Sequence, residues 1–479
     1  MAGGIQMVKG AHKRDLQNAE SHNKATCERK EKKESKRVIE VFYKTQHRFV
    51  PKLSKWIALI EDPRQKNKIK YNIEHLLWIG IFLFLMKLGS RRQINFQFQT
   101  EEFKENLNLL SKGKAGRVAD HGTLENLLKQ LPVEFLCWLK QQIIKRLIRM
   151  RALEKYRLFE KYYLISVDGT GYLNFGKRRH CPNCLTRKTH GETHYYHNIL
   201  EAKIVTENGF AFSVETERIE NIRGDKKTFN RWRQDCELKA FYRMAPRLKK
   251  KFPQLKICLV LDALYANGEV FQLCDKYGWK YIITFKEGSM PDMFRWWERM
   301  KEIGSVEKAQ IIRGKNTQKF AWINDLPYVR PPFKEVTAKL NILEYREKEK
   351  GTSKKFVWIT NFNINENTFE KIAKSGRMRW KIENEGFNTQ KNGGYNLEHS
   401  YSHNEVASSN YYQLLQIAHI FAQLMEKGSL LKKQIQKNFG SLRNIARQLL
   451  EDFRTKIFTQ QALQSCLATP FQIRFSLPP

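Results

Sequence analysis

Two short apolar runs that each end in an aspartate constrain the fold of this chain most strongly. Residues 162–167 form the first run, and the sequence DGTG follows from Asp168 onward. Residues 257–261 form the second run, which ends on Asp262. Each run predicts a buried strand that stops at a carboxylate and a turn. Side by side, two such carboxylates would repel each other and favour a divalent cation, whereas the plainer alternative is that both aspartates only cap turns.

The charge balance predicts a polyanionic partner. The chain has 86 Lys+Arg against 49 Asp+Glu, a net charge of +37. Nucleic acid is the favoured polyanion, because neutralising phosphates releases condensed counterions. An anionic membrane surface is the alternative, but no amphipathic anchor supports it. A hydrophobic content of 41% across 479 residues predicts a real core and two or three folding units, unlike a small packaging protein.

Cysteine usage and hydropathy predict a soluble protein of a reducing compartment. The 8 cysteines are scattered apart from Cys181 and Cys184, which argues against a disulfide framework. The longest apolar run, residues 76–86, is too short to span a bilayer and predicts a buried helix. We therefore expect a cytoplasmic protein without membrane contact, associated with the bacterial nucleoid if DNA is its partner.

Periodicity divides the chain into an N-terminal all-α part and an α/β part. Three early strands, a helix, and then strand-helix-strand is the order of an RNase H-like mixed-sheet catalytic core. Short alternating runs rich in tryptophan predict a β-rich insertion within that core. The predicted segments are a basic disordered arm (1–40), a helical DNA-binding domain (41–158), the first part of the core (159–290), the β-rich insertion (291–355), the second part of the core (356–425) and a basic helical C-terminal region (426–479).

Three motifs together carry a resemblance to a known family. They are VDGTG at 167–171, LDALYANG at 261–268 and RWKIENEGFN at 379–388. In their order and spacing, the chain resembles the DDE transposases of bacterial insertion sequences, specifically the insertion-sequence-four-like group. The resemblance covers about residues 75–425 and implies an RNase H-like core with a β-rich insertion between the second aspartate and the glutamate.

The resemblance implies a set of catalytic residues. Asp168, Asp262 and Glu383 would be the three acids, each a ligand of Mg²⁺ (or Mn²⁺), with two ions per site. Glu385 is the alternative third acid. Arg379 stands four residues before Glu383, so both share a helix face, and the arginine would hold a phosphate. The tyrosine place of the family signature is Gly376 here.

The lysine of that signature would be expected at Gln390, with Lys391 one residue on as the phosphate- or DNA-binding lysine. The implied activity is metal-dependent cleavage at terminal inverted repeats and strand transfer into target DNA, a cut-and-paste reaction. The implied partners are double-stranded DNA and a second copy of the chain in a homodimer.

A second constellation has the residue types of a zinc site. Cys181 and Cys184 form a Cys-x2-Cys pair, with His180 beside it and His197 downstream. We expect at most a structural Zn²⁺ there, since a surface or core role for the histidines is equally consistent. Two other functions remain open: a catalytically inactive, transposase-derived DNA-binding protein, and a zinc-dependent nucleic-acid hydrolase built on this cluster.

Overall fold

The structure is a computed structural model that describes residues 38–177, 183–221, 234–314, 316–329, 338–349, 352–431 and 439–475. The chain is a mixed α/β protein in which helices surround one mixed sheet of ten strands. These elements confirm the α/β class predicted from periodicity. Within the described ranges, no helix is long and apolar enough to cross a membrane.

Helices and loops build the described chain before the sheet begins. Side-chain caps set several helix starts: the Asn72 side chain accepts the His75 N–H, and Asp120 Oδ1 accepts the Thr123 N–H at 2.8 Å. These caps satisfy backbone donors that a helix leaves free at its first turn. The helices are α1 (described over 38–49), α2 (Leu53–Ile57), α3 (Ile73–Leu85), α4 (Ile94–Gln97), α5 (Glu101–Ser111), α6 (His121–Gln130) and α7 (Val133–Arg149).

All ten strands belong to the same sheet. In space, the strands run in the order β2-β3-β1-β5-β6-β10-β9-β8-β7, and β4 also pairs with β3. The bounds are β1 (Tyr163–Gly176), β2 (Leu185–Thr189), β3 (Glu192–Val205), β4 (Ala211–Ile219), β5 (Ile257–Leu261), β6 (Lys280–Thr284), β7 (Glu307–Arg313), β8 (Asn316–Tyr328), β9 (Ala338–Glu349) and β10 (Thr352–Thr360).

Strand β1 lies between an antiparallel and a parallel neighbour. It pairs antiparallel with β3, which pairs antiparallel with β4, and it pairs parallel with β5, which pairs parallel with β6. Strand β5 ends at Leu261, next to Asp262, as predicted. The predicted strand end at Asp168 is wrong, because β1 stays paired with β3 and continues to Gly176. Only the parallel pairing of β1 with β5 ends near Asp168, at Ser166. Because the carboxyl ends of parallel strands meet at one edge, this topology brings the two aspartates together.

The tryptophan-rich strands extend the sheet. Strand β10 pairs antiparallel with β6, and β9, β8 and β7 follow outward as an antiparallel meander. Trp322 and Trp358 are both 2% exposed, so they serve as core of this meander. The segment predicted to be β-rich (291–355) therefore contains strands β7, β8 and β9, but it begins with the helix Pro291–Glu302, and β10, which joins the meander to β6, extends beyond it to Thr360.

A long buried helix ties the N-terminal helices to the sheet. This helix, α13, is buried along most of its length and contacts α3, α6, α7 and β4. A helix that is apolar nearly all round needs such contacts on every side. The helices after β4 are α8 (Glu237–Lys251), α9 (Gly268–Tyr277), α10 (Pro291–Glu302), α11 (Phe369–Arg377), α12 (Thr389–Asn392), α13 (Glu405–Glu426), α14 (Leu442–Thr455) and α15 (Gln460–Ala468).

A buried carboxylate in α14 makes folding stability depend on pH. Asp452 is fully buried, and its oxygens accept hydrogen bonds from Gln448 Nε2 at 3.0 Å and the Ile39 N–H at 3.3 Å. Burial raises the pKa of Asp452 from 3.8 to about 7. The folded state thus keeps this proton while the unfolded chain loses it, so the stabilisation present below about pH 4 is lost as the pH rises to about 7.

We expect Asp452→Asn to remove this contribution, which is at most about 4 kcal/mol. Urea unfolding at about pH 5 and about pH 8 measures it, since the free energy of unfolding should fall less between the two pH values in the variant than in the wild type. An equal fall in both proteins would contradict the assignment to Asp452.

Candidate active site

The register of two parallel strands places Asp168 beside Asp262. The last paired residues of β1 and β5 are Ser166 and Val260. Two positions further along each strand stand Asp168 and Asp262. Side chains alternate between the faces of a sheet, so both aspartates belong to the face that Ser166 and Val260 share. The sequence-predicted pair is therefore brought to one rim of the sheet.

Backbone hydrogen bonds orient both carboxylates. Asp168 Oδ1 accepts the Gly169 N–H at 3.0 Å, and Asp262 Oδ1 accepts the Leu264 N–H at 2.9 Å. The second bond caps the short 3-10 turn Ala263–Tyr265. One oxygen of Asp262 thus caps a turn, which is the alternative role considered for it from the sequence. The same hydrogen bond fixes the direction in which the carboxylate points.

Arg379 connects the third acid to the first. Its Nη1 lies 2.7 Å from Glu383 Oε1 and 3.5 Å from Asp168 Oδ2. The Arg379 carbonyl accepts a hydrogen bond from Ser166 Oγ at 3.4 Å. Arg379 and Glu383 thus pair as expected four residues apart, but Arg379 lies in the turn after α11 (Phe369–Arg377) and not in the same helix as Glu383. Glu383 lies in a π-helical segment, Ile382–Asn388, that packs against β1, and such wide turns are frequent at functional sites.

The alternative third acid, Glu385, faces a different part of the molecule. Its carboxylate lies 3.1 Å from Lys381 Nζ. It also lies against the turn between β3 and β4, where a Cβ added to Gly209 would come within 3.3 Å of it. In the β1–β3 pairing, this turn lies beyond the Ile165–Ile204 end, and Asp168 pairs with Glu201 three positions further along β1. Of the two glutamates, the geometry favours Glu383.

A fourth acid, Glu237, is present at the site. It begins α8, and its carboxylate covers Gly169 so closely that a Cβ on Gly169 would overlap it. This contact explains why glycine follows Asp168. No sequence motif pointed to Glu237, because the contact depends on how α8 packs against β4 and β3 of the sheet. The only available signal was an acidic residue at the start of an amphipathic helix between two core strands.

The carboxylates disfavour one another's charge. Burial raises the pKa of Asp168 to about 7, Arg379 opposes this rise, and Glu383, Glu237 and Asp262 add to it. Burial and the neighbouring Asp262 likewise raise the pKa of Glu237. Like-charged groups held together in this way are typical of sites that use a cation or a proton.

These groups suit a hard divalent cation chemically. Carboxylate oxygens are the ligands that Mg²⁺ prefers, and a cation would relieve the repulsion just described. Among the described residues, no three acidic, histidine or cysteine side chains are drawn close enough together to hold a metal ion. Asp168 and Glu383 instead share the guanidinium of Arg379.

Tyr265 supplies a spare hydrogen-bond donor next to the acids. Its side chain is fully buried, and within the described chain its hydroxyl has no hydrogen-bond partner. Burial, followed by the charges of Glu237, Asp262 and Asp168, raises its pKa. Leaving a buried hydroxyl unsatisfied costs free energy, so this group is a second site residue that sequence reasoning missed.

An open cleft adjoins Asp262. It has a volume of about 500 Å³, and Arg379, Trp380, Lys286 and Lys355 are among the residues that line it. Trp380 is 49% exposed and stacks under the Arg379 guanidinium at 4.5 Å. The cleft thus offers positive charge and an exposed ring beside the carboxylates.

The remaining predicted residues lie away from the carboxylates or outside the described residues. Lys391 Nζ is 2.7 Å from Glu398. Of the proposed zinc ligands, His180 and Cys181 lie outside the described residues. Cys184 and His197 are buried together, with 3.8 Å between Sγ and Nε2. This pair is compatible with half of a structural zinc site.

Packing requires glycine at position 376. A Cβ at this position would lie 2.5 Å from Cε2 of the buried Trp358 ring. The ring is enclosed and cannot move aside cheaply, so we expect Gly376→Ala to lower the free energy of unfolding by about 1–3 kcal/mol. Chemical denaturation measures the change. Gly116→Ala is the control, because a Cβ at Gly116 meets nothing within 4 Å, and equal losses in both variants would contradict the packing explanation.

No protein-family model matches this chain, and no curated protein is significantly similar to it in sequence.

Proposed function

We propose that this protein is a DNA transposase that cleaves and joins DNA by a metal-dependent DDE mechanism. The observation that carries the proposal is the shared register of Asp168 and Asp262 on neighbouring parallel strands, with Glu383 linked to Asp168 through Arg379. Separate parts of the sequence thus contribute acids to one surface.

The order of strands supports an RNase H-like core. Three antiparallel strands, β1, β3 and β4, are followed by β5 and β6, each parallel to its inner neighbour. The spatial order β4-β3-β1-β5-β6 is the one expected of such a core, with β7–β10 as the insertion. Fold likeness alone does not imply activity, so the acids carry the functional argument.

Each site residue has a distinct role in the proposed reaction. Asp168, Asp262 and Glu383 would hold a pair of Mg²⁺ or Mn²⁺ ions. When bound, such ions supply positive charge that stabilises the attacking and leaving oxygens of an in-line displacement. Arg379 is placed to bind a phosphate once it releases the carboxylates. Because the acids are ligands, no side chain is needed as a general base.

The charge of the chain supports DNA as the substrate. The net charge of +37 remains after all 49 Asp and Glu residues, the acids of the site included, have been counted. Phosphate neutralisation would supply most of the affinity and make binding strongly dependent on salt. The proposed substrates are terminal inverted repeats and target DNA, bound by a homodimer in the bacterial nucleoid.

A cleavage assay tests the proposed function. The purified protein is incubated with linear DNA that carries the sequences flanking its coding region, with Mg²⁺, with Mn²⁺ or with chelator. We expect cleavage at the element's ends that leaves 3′-hydroxyl groups and disappears with chelator. No cleavage with either metal, despite DNA binding, would reject the enzymatic part of the proposal.

One observation favours a second candidate, a DNA-binding protein without cleavage activity. Arg379 lies between Asp168 and Glu383, where its guanidinium engages both carboxylates. If this arrangement persists on DNA, the chain would bind ends without cutting them. A zinc-dependent hydrolase has less support, because Cys184 and His197 are both buried and a catalytic zinc needs an open position.

A further inference from the structure

A groove of about 590 Å³ lies between α14 and the loop that follows α3. One wall carries Arg443, Arg447 and Arg454, which are four and seven residues apart on α14. At 3.6 residues per turn, these spacings put all three on one face of the helix, along a line of roughly 16 Å. The wall is therefore a row of guanidinium groups.

The row is only partly neutralised. Arg454 Nη1 is 3.3 Å from Glu451, and Arg443 Nη2 donates to the Asn392 carbonyl at 2.6 Å. Arg447 is exposed and has no acidic partner among the described residues. Binding an anion here would pair charges that the protein itself leaves unpaired.

The opposite wall adds further donors. Lys87 is half-buried and lies over the Tyr395 ring at 5.3 Å. Burial lowers the pKa of Lys87, the charge of Glu426 opposes this shift and Arg443 adds to it, so a bound anion would further stabilise the charged form of Lys87. The amide side chains of Gln93, Gln97 and Asn396 complete this wall. Such amides donate hydrogen bonds to phosphate oxygens without reading sequence.

We propose that this groove binds the sugar-phosphate backbone of duplex DNA, a site distinct from the carboxylates. The inference rests on the proposed function and assigns part of its DNA contact to α14. The length of the arginine row fits several consecutive phosphates, whereas a single small anion would need only one arginine. Among the described residues that line the groove, none offers an aromatic ring on which a free nucleotide base could stack.

The groove also lies on a path to the candidate active site. Arg443 contacts Asn392 at the end of α12, the helix that directly follows the segment with Glu383. The next residue back, Lys391, pairs with Glu398. The Glu398 carboxylate would lie 3.7 Å from a Cβ on Gly171, three residues beyond Asp168 on β1. A strand held in the groove could thus continue toward the acids.

A binding measurement with matched variants tests the groove. Fluorescence anisotropy follows a labelled duplex of about 30 base pairs of arbitrary sequence, with chelator present, from about 50 to about 300 mM salt. The variants are Arg443→Ala/Arg447→Ala and the control Arg295→Ala/Arg299→Ala. Both pairs are exposed arginines four residues apart on a helix, so each double variant removes the same charge.

We expect the α14 variant to bind roughly 10- to 100-fold more weakly than the wild type, with a salt slope shallower by about 1.8. The control should change affinity by less than about threefold. Equal losses of affinity in both variants would contradict a DNA site in the groove, because they would show that only the total charge of the protein matters. Wild-type affinity in the α14 variant would contradict it as well. If the wild type itself failed to bind duplex DNA, the proposed function would fail together with the groove.

Discussion

Asp168→Asn is expected to abolish metal-dependent DNA cleavage while leaving DNA affinity unchanged. Asp168 is the acid that interacts with all the others, since its pKa responds to Glu383, Glu237 and Asp262. Asparagine keeps the shape but removes the negative charge that would attract a cation. We expect a fall in the cleavage rate of roughly a thousand-fold or more. Retained cleavage would remove Asp168 from the mechanism.

A stability measurement separates this effect from damage to the fold. In metal-free buffer at about pH 8, wild-type Asp168 is ionised. Its negative charge destabilises the folded state, because burial and three other acids raise its pKa to about 7. The variant should therefore unfold at a higher temperature than the wild type, as is common when a strained functional residue is replaced. A lower unfolding temperature together with lost activity would indicate structural damage instead.

The second large effect is expected for Glu383→Gln, with Glu385→Gln as its matched control. The two glutamates are two positions apart in one π-helical segment, and both pair with a basic residue. Only Glu383 faces the Asp168 side, through Arg379. We expect Glu383→Gln to lower the cleavage rate by at least about 100-fold and Glu385→Gln to lower it by less than about threefold.

A reversed outcome, with Glu385→Gln inactive and Glu383→Gln active, would move the third acid to the other side of the segment. DNA affinity should stay within about twofold of the wild type in both variants, because neither acid is expected to contact phosphate. Loss of binding in either variant would mean that the segment positions DNA rather than a metal.

The paired aspartates could be predicted from sequence because each follows a short apolar run, which is a local feature. The run before Asp262 marks a true strand end, whereas β1 continues past Asp168 to Gly176 because polar residues there still pair with β3. The exact alignment of the two aspartates, at the same register of β1 and β5, depends on pairing between distant parts of the chain. Helix periodicity likewise predicted that Arg379 and Glu383 share a face.

Glu237 and Tyr265 could not be predicted, because packing between distant elements brings them to the site. Glu237 reaches Gly169 only when α8 lies on the sheet against β4 and β3, and nothing in the neighbouring sequence encodes that contact. The choice between Glu383 and Glu385 was also left open by the sequence, since both follow the same arginine. The π-helical segment and its packing on β1 separate them.

Gly376 shows that a packing constraint can act close to the candidate site without involving its acids. The indole of Trp358 fills the space that a larger side chain would need. A side chain at position 376 is thus excluded by packing. Arg379, three positions further on, instead contacts Asp168 and Glu383.

Crystals soaked in Mn²⁺ provide the most direct measurement, because the anomalous scattering of manganese locates the ion without reference to activity. We expect a manganese peak bound by oxygens of Asp168 and Asp262, with Glu383 turned toward it and Arg379 released. Manganese bound only elsewhere, with Arg379 still holding Asp168 and Glu383, would contradict the proposed metal-dependent site.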